Sequence, residues 1–258
     1  MEPWRTAIVN ADPTRIEIRG HDVTAMMRSA TFTDAIFLLH HTRLPTPAER
    51  RLFDAILIGC ADHGAGAPSC AAARLAASGN RQSPSAAVAA GILTIGEEHG
   101  GAGMRCMELL ARGLELARHE SLSLDHAAVR LVDQARSSGE RLPGFGHRVH
   151  AAIDPRVSVL FGLAEDAGLA GDGIRLARAL EAALKEKVKP IPLNIDGALA
   201  AILYDLGFPP LVGMLLFIIS RVAGISAEVA EEYGREKPMR IRIPVVYDGP
   251  DSRTESEE

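Results

Sequence analysis

Apolar side chains recur at helical spacing over most of the chain, and residues typical of helix starts precede them. The sequence Thr46-Pro47-Ala48-Glu49 combines a capping threonine, a proline in the first helical position and a glutamate three residues after the cap. Ser83-Pro84 and Asp154-Pro155 repeat the cap-and-proline start. One apolar face follows the first of these starts, at Leu52, Phe53, Ile56, Leu57 and Cys60.

The N-terminal end of the chain departs from this helical pattern. Residues 5–10 and 15–19 favour two short strands, and turn-forming residues 11–14 lie between them. With 4% aromatic residues and abundant Ala and Leu, the chain is predicted to be mainly helical with a short N-terminal β-hairpin. Further helices are predicted over residues 104–116, 124–135, 175–188, 195–206 and 209–232, with Gly207 as a left-handed cap.

Composition and charge narrow the class of protein. The chain has 258 residues, of which 47% are hydrophobic, which is enough for one large domain or for one domain plus a small appended one. The formal net charge of −5 excludes a whole-chain basic footprint for nucleic acid or acidic lipid. We therefore expect neither a nucleic-acid partner nor a membrane partner.

The cysteines and the N-terminus predict a cytoplasmic protein. Cys60, Cys70 and Cys106 are odd in number and form no CxxC motif, so neither a disulfide framework nor a zinc ribbon is expected. The N-terminal residues lack the apolar core of a signal peptide. The longest apolar run, residues 211–219, ends just before Arg221 and is too short to span a bilayer, which predicts a buried helix.

Three glycine-rich loops that carry histidine interrupt the helices, at residues 62–67, 96–103 and 143–150. Ligand sites concentrate on such loops because a rigid scaffold holds them while their backbone stays accessible. In the third block, His147 can hydrogen-bond a carbonyl or hydroxyl oxygen, and Arg156 can bind a carboxylate through two parallel hydrogen bonds. A structural loop followed by a capped helix explains the same residues.

His99 and Asp196 are candidates for a second kind of chemistry. Glycines on both sides of His99 allow close backbone approach to a ligand, and an imidazole beside backbone N–H groups can stabilise an enolate oxygen. Asp196 begins an otherwise apolar helix, where a carboxylate with a raised pKa can act as a general base. The alternatives are a surface histidine in a helix-to-helix turn and, for Asp196, a helix cap together with Asn194.

His63 and Arg221 complete the set of candidates. A histidine after a helix is usually a cap or a core residue, whereas a buried arginine needs an anion, which is either a structural carboxylate or a substrate. His147 and His150 are three residues apart and no HExxH motif is present, so we expect no metal. The sequence Gly144-Phe145-Gly146 lacks the third glycine of a dinucleotide fingerprint.

In this order, the blocks resemble the citrate synthase superfamily. The resemblance rests on RGHDV, FTDAIFLLHHTRLPTPAE, ADHGAGAPSCAAAR, HGGAG, GFGHRVHAAIDPR and LNIDGALAAILYDLGFP, of which GHRV…DPR is the most specific. The chain skips a long middle stretch of full-length members. The resemblance implies a shortened citrate synthase-like helical fold, with a large domain over residues 1–104 and 206–258 and a small domain over residues 105–205.

The resemblance also implies a role for each candidate. His99 would hydrogen-bond the thioester oxygen as it becomes an enolate, Asp196 would be the acid/base at the neighbouring carbon, and His147 would bind the hydroxyl or carbonyl oxygen of the oxo acid. His63, Arg156 and Arg221 would hold the carboxylates of that acid, and the backbone of Pro143, Gly144, Phe145 and Gly146 would contact coenzyme A.

Several positions depart from the family pattern. Gly197 stands where the family usually has Phe, and Pro244 stands where an arginine of a partner subunit normally reaches a neighbouring site. These changes leave the enolate-forming residues intact and alter the pocket for the oxo acid. The other departures are Gly64, Gly103 and Ile225.

Short chains of this type are similar to citryl-CoA lyases. The resemblance therefore implies a homodimer or higher homo-oligomer that cleaves citryl-CoA into acetyl-CoA and oxaloacetate, with the coenzyme A thioester as substrate and no permanently bound cofactor. One alternative is a citrate or 2-methylcitrate synthase, which also hydrolyses the thioester. The others are a non-catalytic coenzyme A-binding member and a helical interaction protein without a site.

Overall fold

The computed structural model describes residues 2–146 and 154–250, which form three short strands and eleven helices. The mainly helical class predicted from the sequence is confirmed. The strands are β1 (Val9–Ala11), β2 (Ile16–Ile18) and β3 (His21–Asp22). The helices are α1 (Val23–Ser29), α2 (Phe32–His41), α3 (Pro47–Ala61), α4 (Pro68–Gly79), α5 (Pro84–Leu93), α6 (Ala102–His119), α7 (Leu124–Ser138), α8 (Pro155–Asp166), α9 (Asp172–Lys187), α10 (Ile195–Asp205) and α11 (Pro210–Arg235).

The three strands form one small antiparallel sheet in the order β1-β2-β3, with Val9 opposite Ile18. Asp12 makes the predicted turn, because its Oδ1 accepts the backbone N–H groups of Thr14 and Arg15 at 2.8 and 2.9 Å. The hairpin is confirmed, but its strands are shorter than predicted and a third strand follows. The physical reason is Arg19, whose φ of 50° ends β2 and turns the chain back along it.

The predicted helix starts are confirmed by their caps. Thr46 Oγ1 accepts the Glu49 N–H at 3.2 Å, and the Glu49 carboxylate accepts the Thr46 N–H at 2.7 Å, which makes a capping box for α3. Ser83 and Asp154 cap α5 and α8 with side-chain oxygens that accept the N–H groups of Ala86 and Arg156. On the predicted apolar face of α3, Leu52, Phe53, Ile56 and Cys60 are buried, and Leu57 is partly buried.

Helix α11 is a core helix that packs against α3, α4, α5 and α6. By length and composition alone it is apolar enough to cross a membrane, with a mean hydropathy of 1.8, but the core helix of a soluble protein passes the same test. The predicted apolar run forms its first half, where Val212, Leu216 and Phe217 are buried. Helix α11 therefore brings Arg221 into the interior, where it is 3% exposed.

Helix α10 is the most completely buried helix of those described, and it contacts α3, α6, α8, α9 and α11. Every residue from Gly197 to Leu203 is buried. Its far end is tied to α9, because the Asp205 carboxylate accepts the N–H groups of Gly171, Gly173 and Ile174 at 2.7–3.1 Å. The start of α10 is consequently held inside the protein, where the candidate residues meet.

Candidate active site

Asp196 occupies the second position of α10, and it is not the cap of that helix. Asn194 is the cap, since its side-chain oxygen accepts the Gly197 N–H at 3.1 Å. Asp196 as a whole is partly accessible, but its Oδ1 atom is buried and has no hydrogen-bond partner among the described residues. The sequence allowed Asp196 to be either a helix cap or a general base. Because Asn194 caps the helix, the structure favours the role of general base for Asp196.

The surroundings of this carboxyl shift its acidity. Burial raises the pKa of Asp196 from 3.8 to about 6, because the ionised form loses its hydration. The positive charges of Arg156 and Arg221 oppose this shift, and the negative charge of Asp154 adds to it. A carboxyl with a pKa near neutrality can both give and take a proton at physiological pH.

Two thiols adjoin the Asp196 carboxyl. Burial and, to a smaller extent, the negative charge of Asp196 raise the pKa of the Cys60 thiol and that of the Cys106 thiol to about 12 each. Both thiols are therefore neutral, and the charged groups that act on the carboxyl are Arg156, Arg221 and Asp154. All three cysteines are free and buried, as expected for reduced cysteines.

Arg156 lies at the second position of α8 and forms an ion pair with the residue that caps this helix. Its Nε and Nη2 bind Asp154 Oδ1 and Oδ2 at 2.9 and 2.8 Å, and its Nη1 binds the Gly59 carbonyl at 3.1 Å. Asp154 Oδ2 also accepts the N–H of Ile195, the neighbour of Asp196, at 3.1 Å. The two parallel hydrogen bonds predicted for Arg156 are present, but they bind Asp154, so a substrate carboxylate would have to use the remaining N–H bonds of the guanidinium.

Arg221 is the second cation of the site, and unlike the partly buried Arg156 it is buried. Its Nε donates to the Cys60 carbonyl at 2.9 Å, and its guanidinium lies 4.8 Å over the Phe217 ring. Within residues 2–146 and 154–250 it forms no ion pair with a carboxylate. A buried guanidinium without an anionic partner is costly, which favours a substrate carboxylate here over the structural carboxylate that the sequence left open.

Ser69 connects Arg221 to His99, a link that the sequence analysis missed. Ser69 is fully buried at the second position of α4, and its Oγ lies 2.9 Å from His99 Nε2 and 3.4 Å from Arg221 Nη1. The Ser69 N–H also points at His99 Nε2, at 3.4 Å, so both polar groups of Ser69 lie on this side of the ring. A serine after Pro68 gives no sequence signal beyond a helix start.

His99 itself is half-buried in a tight loop that precedes α6. Its backbone pairs with Gly96 in both directions at 2.9 and 3.0 Å, and Gly100 turns the chain with a φ of 83°. The His99 ring meets the edge of Phe217 at 5.9 Å, the same aromatic ring that underlies Arg221. Glu97, two residues before His99, forms an exposed ion pair with Arg105 at 2.6 Å.

The other two histidine candidates differ in what the structure shows. His63 is half-buried in the loop that joins α3 to α4. His147 lies outside the described residues. The described candidates that converge are Asp196, Arg156, Arg221 and His99, joined through Asp154 and Ser69.

The loop of residues 143–146, here called the GFG loop, is attached directly to the start of α10. The Gly144 carbonyl accepts the Asn194 N–H at 3.0 Å, and the Gly146 N–H donates to the Pro192 carbonyl at 2.7 Å. Gly144 has a φ of 87°, which a residue with a side chain rarely adopts. A Cβ at Gly197 would collide with the Gly144 carbonyl, which explains why the Phe of the family pattern is absent here.

A cavity of about 510 Å³ lies beside the GFG loop, between α7 and α9. Its apolar wall includes Phe145 and the side chains of Leu142, Leu184 and Ile191. Three basic residues, Arg136, Arg141 and Lys189, also line it, together with one acidic residue, Glu140. An apolar wall beside clustered positive charge suits a ligand with an aromatic group and phosphates.

One cluster of possible metal ligands lies outside this arrangement. Asp62, Cys70 and Glu228 place ligand atoms within 4.8 Å of one another. Glu228 is already paired with the Arg74 guanidinium, and burial raises the pKa of the Cys70 thiol to about 11. A paired carboxylate and a protonated thiol are poor metal ligands.

The structure defines a helical protein in which a buried carboxyl and an arginine at helix starts meet a second arginine from the middle of α11 and a histidine from the loop before α6. The family model for the citrate synthase C-terminal domain matches residues 45–242, and the chain belongs to the citrate synthase family.

Three known proteins illustrate the relationship. The structure of citryl-CoA lyase from Hydrogenobacter thermophilus superposes with a TM-score of 0.89 at 33% identity, covering 98% of this chain and 97% of that one. The ternary complex of Thermoplasma acidophilum citrate synthase with carboxymethyl coenzyme A and oxaloacetate gives a TM-score of 0.71 at 25% identity, with coverages of 89% and 60%. The citrate synthase of Haloferax volcanii is 28% identical over 228 residues, which are 87% of this chain and 57% of that relative. The chain thus spans about half the length of the curated relatives it matches.

Proposed function

We propose that this protein is a citryl-CoA lyase, which cleaves citryl-CoA into acetyl-CoA and oxaloacetate. The observation that carries the proposal is the Asp196 carboxyl, whose buried Oδ1 has no partner in the described ranges and whose pKa is raised to about 6. The similarity in length and structure to the Hydrogenobacter citryl-CoA lyase supports the cleavage direction.

Cleavage begins at the hydroxyl group of the citryl moiety. A base removes the hydroxyl proton as the neighbouring carbon–carbon bond breaks, which leaves the carbonyl group of oxaloacetate. The bonding electron pair passes into the thioester and forms an enolate. The family resemblance gives the base role to His147, which lies outside the described residues.

His99 and Asp196 complete the reaction on the acetyl side. We assign the Nδ1 side of His99 as the donor to the enolate oxygen, because the Ser69 N–H and hydroxyl groups lie at the Nε2 side of the ring. Asp196 in its acid form then gives a proton to the enolate carbon, which becomes the methyl group of acetyl-CoA. With a pKa of about 6, about a tenth of Asp196 is protonated at pH 7.

The positive groups orient the carboxylates of the substrate. Arg221 supplies a buried guanidinium with no carboxylate partner in the described ranges, and Arg156 presents the edge not taken by Asp154. His63 lies in the loop between these elements and is proposed as a third contact. Because Pro244 replaces an arginine of the family pattern, these residues would carry the recognition of the oxo acid.

Coenzyme A is proposed to bind as part of the substrate, with its adenine group at the GFG loop. The cavity beside Phe145 offers an apolar wall for an aromatic base, and Arg136, Arg141 and Lys189 offer charge for its phosphates. We propose no resident cofactor and no metal, because the steps above need only side chains of this protein.

Three further expectations belong to the same proposal. Residues 105–205 would form a small domain that closes over the substrate and excludes water. The chain would act in the cytoplasm, with its cysteines reduced. It would form a homodimer, and helix α5 offers a suitable face because its exposed residues include Ala86, Ala89 and the 84% exposed Leu93.

A citrate or 2-methylcitrate synthase is the second candidate function. The observation in its favour is that the curated relatives are citrate synthases. The same residues would then run the carbon–carbon step in the condensing direction, and hydrolysis of the thioester would follow. The presence of His99, His147 and Asp196 together argues against a member without catalytic activity.

Product analysis separates these functions. Purified protein is supplied with citryl-CoA in one assay, and with acetyl-CoA and oxaloacetate in another, and both oxaloacetate and free thiol are measured. A lyase releases oxaloacetate from citryl-CoA without free thiol, and Asp196→Ala loses this activity. Free thiol from acetyl-CoA and oxaloacetate identifies a synthase, and folded protein that is silent in both assays contradicts both functions.

A further inference from the structure

The last turn of α3 holds both arginines of the site. The Gly59 carbonyl accepts Nη1 of Arg156 at 3.1 Å, and the Cys60 carbonyl accepts Nε of Arg221 at 2.9 Å. Carbonyl groups in the last turn of a helix have no partner within the helix, and the helix dipole makes this end negative. The partly negative end of α3 therefore binds two guanidinium groups from different helices, α8 and α11.

Helix α11 lies in direct contact with the same turn. Ser220 donates its hydroxyl hydrogen to the Leu57 carbonyl. Gly224, one turn after Arg221, faces the end of α3 so closely that an added Cβ would lie 2.9 Å from Asp62 Cβ and closer still to the Ala61 carbonyl oxygen. Real Cβ atoms essentially never approach backbone so closely, so the separation between the two helices depends on glycine at this position.

We propose that Gly224 is a positioning residue, which sets the contact between α11 and the last turn of α3 and thereby places Arg221 beside Asp196. This contact determines how tightly the site binds the carboxylated half of the substrate. The identity of that ligand, oxaloacetate, rests on the proposed function. The placement of Arg221 relative to Asp196 does not depend on the proposed function.

Two measurable consequences follow from a methyl group at Gly224. The end of α3 must move away from α11, so the hydrogen bond from Arg221 to the Cys60 carbonyl lengthens and the guanidinium is no longer aimed at the ligand. Movement of Arg221 away from Asp196 also removes a positive charge that opposes the raised pKa of that carboxyl, so the pKa rises further.

The pKa of Asp196 also depends on the other groups that face its carboxyl. Within the described residues they are Arg156 and Asp154 from α8, and the neutral thiols of Cys60 from α3 and Cys106 from α6. Because Arg156 also binds the end of α3, its displacement would change the pKa of Asp196 in the same direction as that of Arg221. A side chain at Gly224 is therefore expected to raise the pKa of Asp196, whichever of the two arginines moves.

The test compares Gly224→Ala with Gly234→Ala, a matched control in the same helix where an added Cβ meets no atom within 4 Å. Calorimetry measures the binding of oxaloacetate and of coenzyme A to the folded full-length proteins. Carboxyl NMR measures the pKa of Asp196. Ser220→Ala is included as a milder change to the same turn, because it removes only the hydrogen bond to the Leu57 carbonyl.

For Gly224→Ala we expect the dissociation constant for oxaloacetate to rise by about tenfold or more, as for one lost hydrogen bond to a charged group. The pKa of Asp196 rises above its wild-type value, coenzyme A binding is unchanged, and Gly234→Ala behaves as wild type. Ser220→Ala shifts oxaloacetate affinity and the pKa of Asp196 in the same directions by smaller amounts.

A Gly224→Ala protein that is merely less stable, with wild-type oxaloacetate affinity and an unchanged pKa at Asp196, overturns the proposal. If Gly224→Ala does not fold, Ser220→Ala decides instead. Wild-type oxaloacetate affinity and an unchanged pKa of Asp196 in Ser220→Ala overturn the proposal, and shifts in both quantities support it. If wild-type protein binds no oxaloacetate, the proposed function fails, and the pKa of Asp196 in the variants still decides whether Gly224 positions Arg221.

Discussion

Replacement of Asp196 by Asn is expected to change the pH dependence of stability as well as activity. The folded protein holds the Asp196 proton with a pKa of about 6, whereas the ordinary value of 3.8 applies to the unfolded chain. Between these values the folded state binds more protons than the unfolded state, so the wild type loses stability as the pH rises. The amide of the variant cannot titrate, so Asp196→Asn lacks this loss.

The size of the effect follows from the two pKa values. The difference between 3.8 and about 6 corresponds to about 3 kcal/mol over the whole titration, because each unit of pKa is worth about 1.4 kcal/mol. Between about pH 5 and about pH 8, the wild type should lose about 1.4 kcal/mol of unfolding free energy relative to the variant. The amide also adds a constant cost or gain, which does not affect this pH-dependent part.

Urea denaturation of both proteins across this pH range measures the quantity directly. Subtraction of the variant from the wild type at each pH removes the contributions of all other titrating groups that the substitution leaves unchanged. A difference that stays constant with pH, or one that favours the wild type at higher pH, would refute the argument that burial raises this pKa. A carboxyl NMR titration of Asp196 gives an independent check.

Three other substitutions test different parts of the structure. Gly197→Ala should push the GFG loop away and weaken coenzyme A binding by about tenfold in calorimetry. Gly162→Ala is the control, because an added Cβ there meets no atom within 4 Å. Equal coenzyme A affinities of the two variants would show that the contact between Gly197 and the GFG loop does not affect binding. Arg74→Met should lower the urea-derived unfolding free energy by about 2 kcal/mol, because the fully buried Glu232 loses one of its cations; an unchanged free energy would show that the pair is dispensable. Asp154→Asn removes a negative charge that acts on the Asp196 carboxyl, so the pKa of Asp196 should fall in an NMR titration. A rise in that pKa would contradict the effect assigned to Asp154.

Local features of the fold were predictable from the sequence because their partners are close along the chain. The caps at Thr46 and Ser83 bond to backbone N–H groups three residues away, so a four-residue pattern contains them. The capping of α9 by Asp205 was not predictable, because its carboxylate meets Gly171, 34 residues earlier, only after α9 and α10 have packed.

The candidate site shows the same distinction. Asp196 was found from one carboxylate in an apolar helix start, and the structure resolves its competition with Asn194 because only one side chain can cap the helix. The link from His99 through Ser69 to Arg221 joins three separate parts of the sequence, and a single serine carries no signal of it. The pairing of Arg156 with Asp154 was overlooked because the same short spacing also fits an arginine left for substrate.

In the proposed reaction, Asp196 gives a proton to the enolate that forms when the carbon–carbon bond breaks. Cleavage of citryl-CoA in heavy water, followed by mass spectrometry of the acetyl-CoA, tests this step for wild type and Asp196→Asn. Because the acid proton of Asp196 exchanges with solvent, we expect one deuterium in the methyl group with wild type and no acetyl-CoA with the variant. Acetyl-CoA without deuterium, or equal cleavage by the variant, would contradict this role of Asp196.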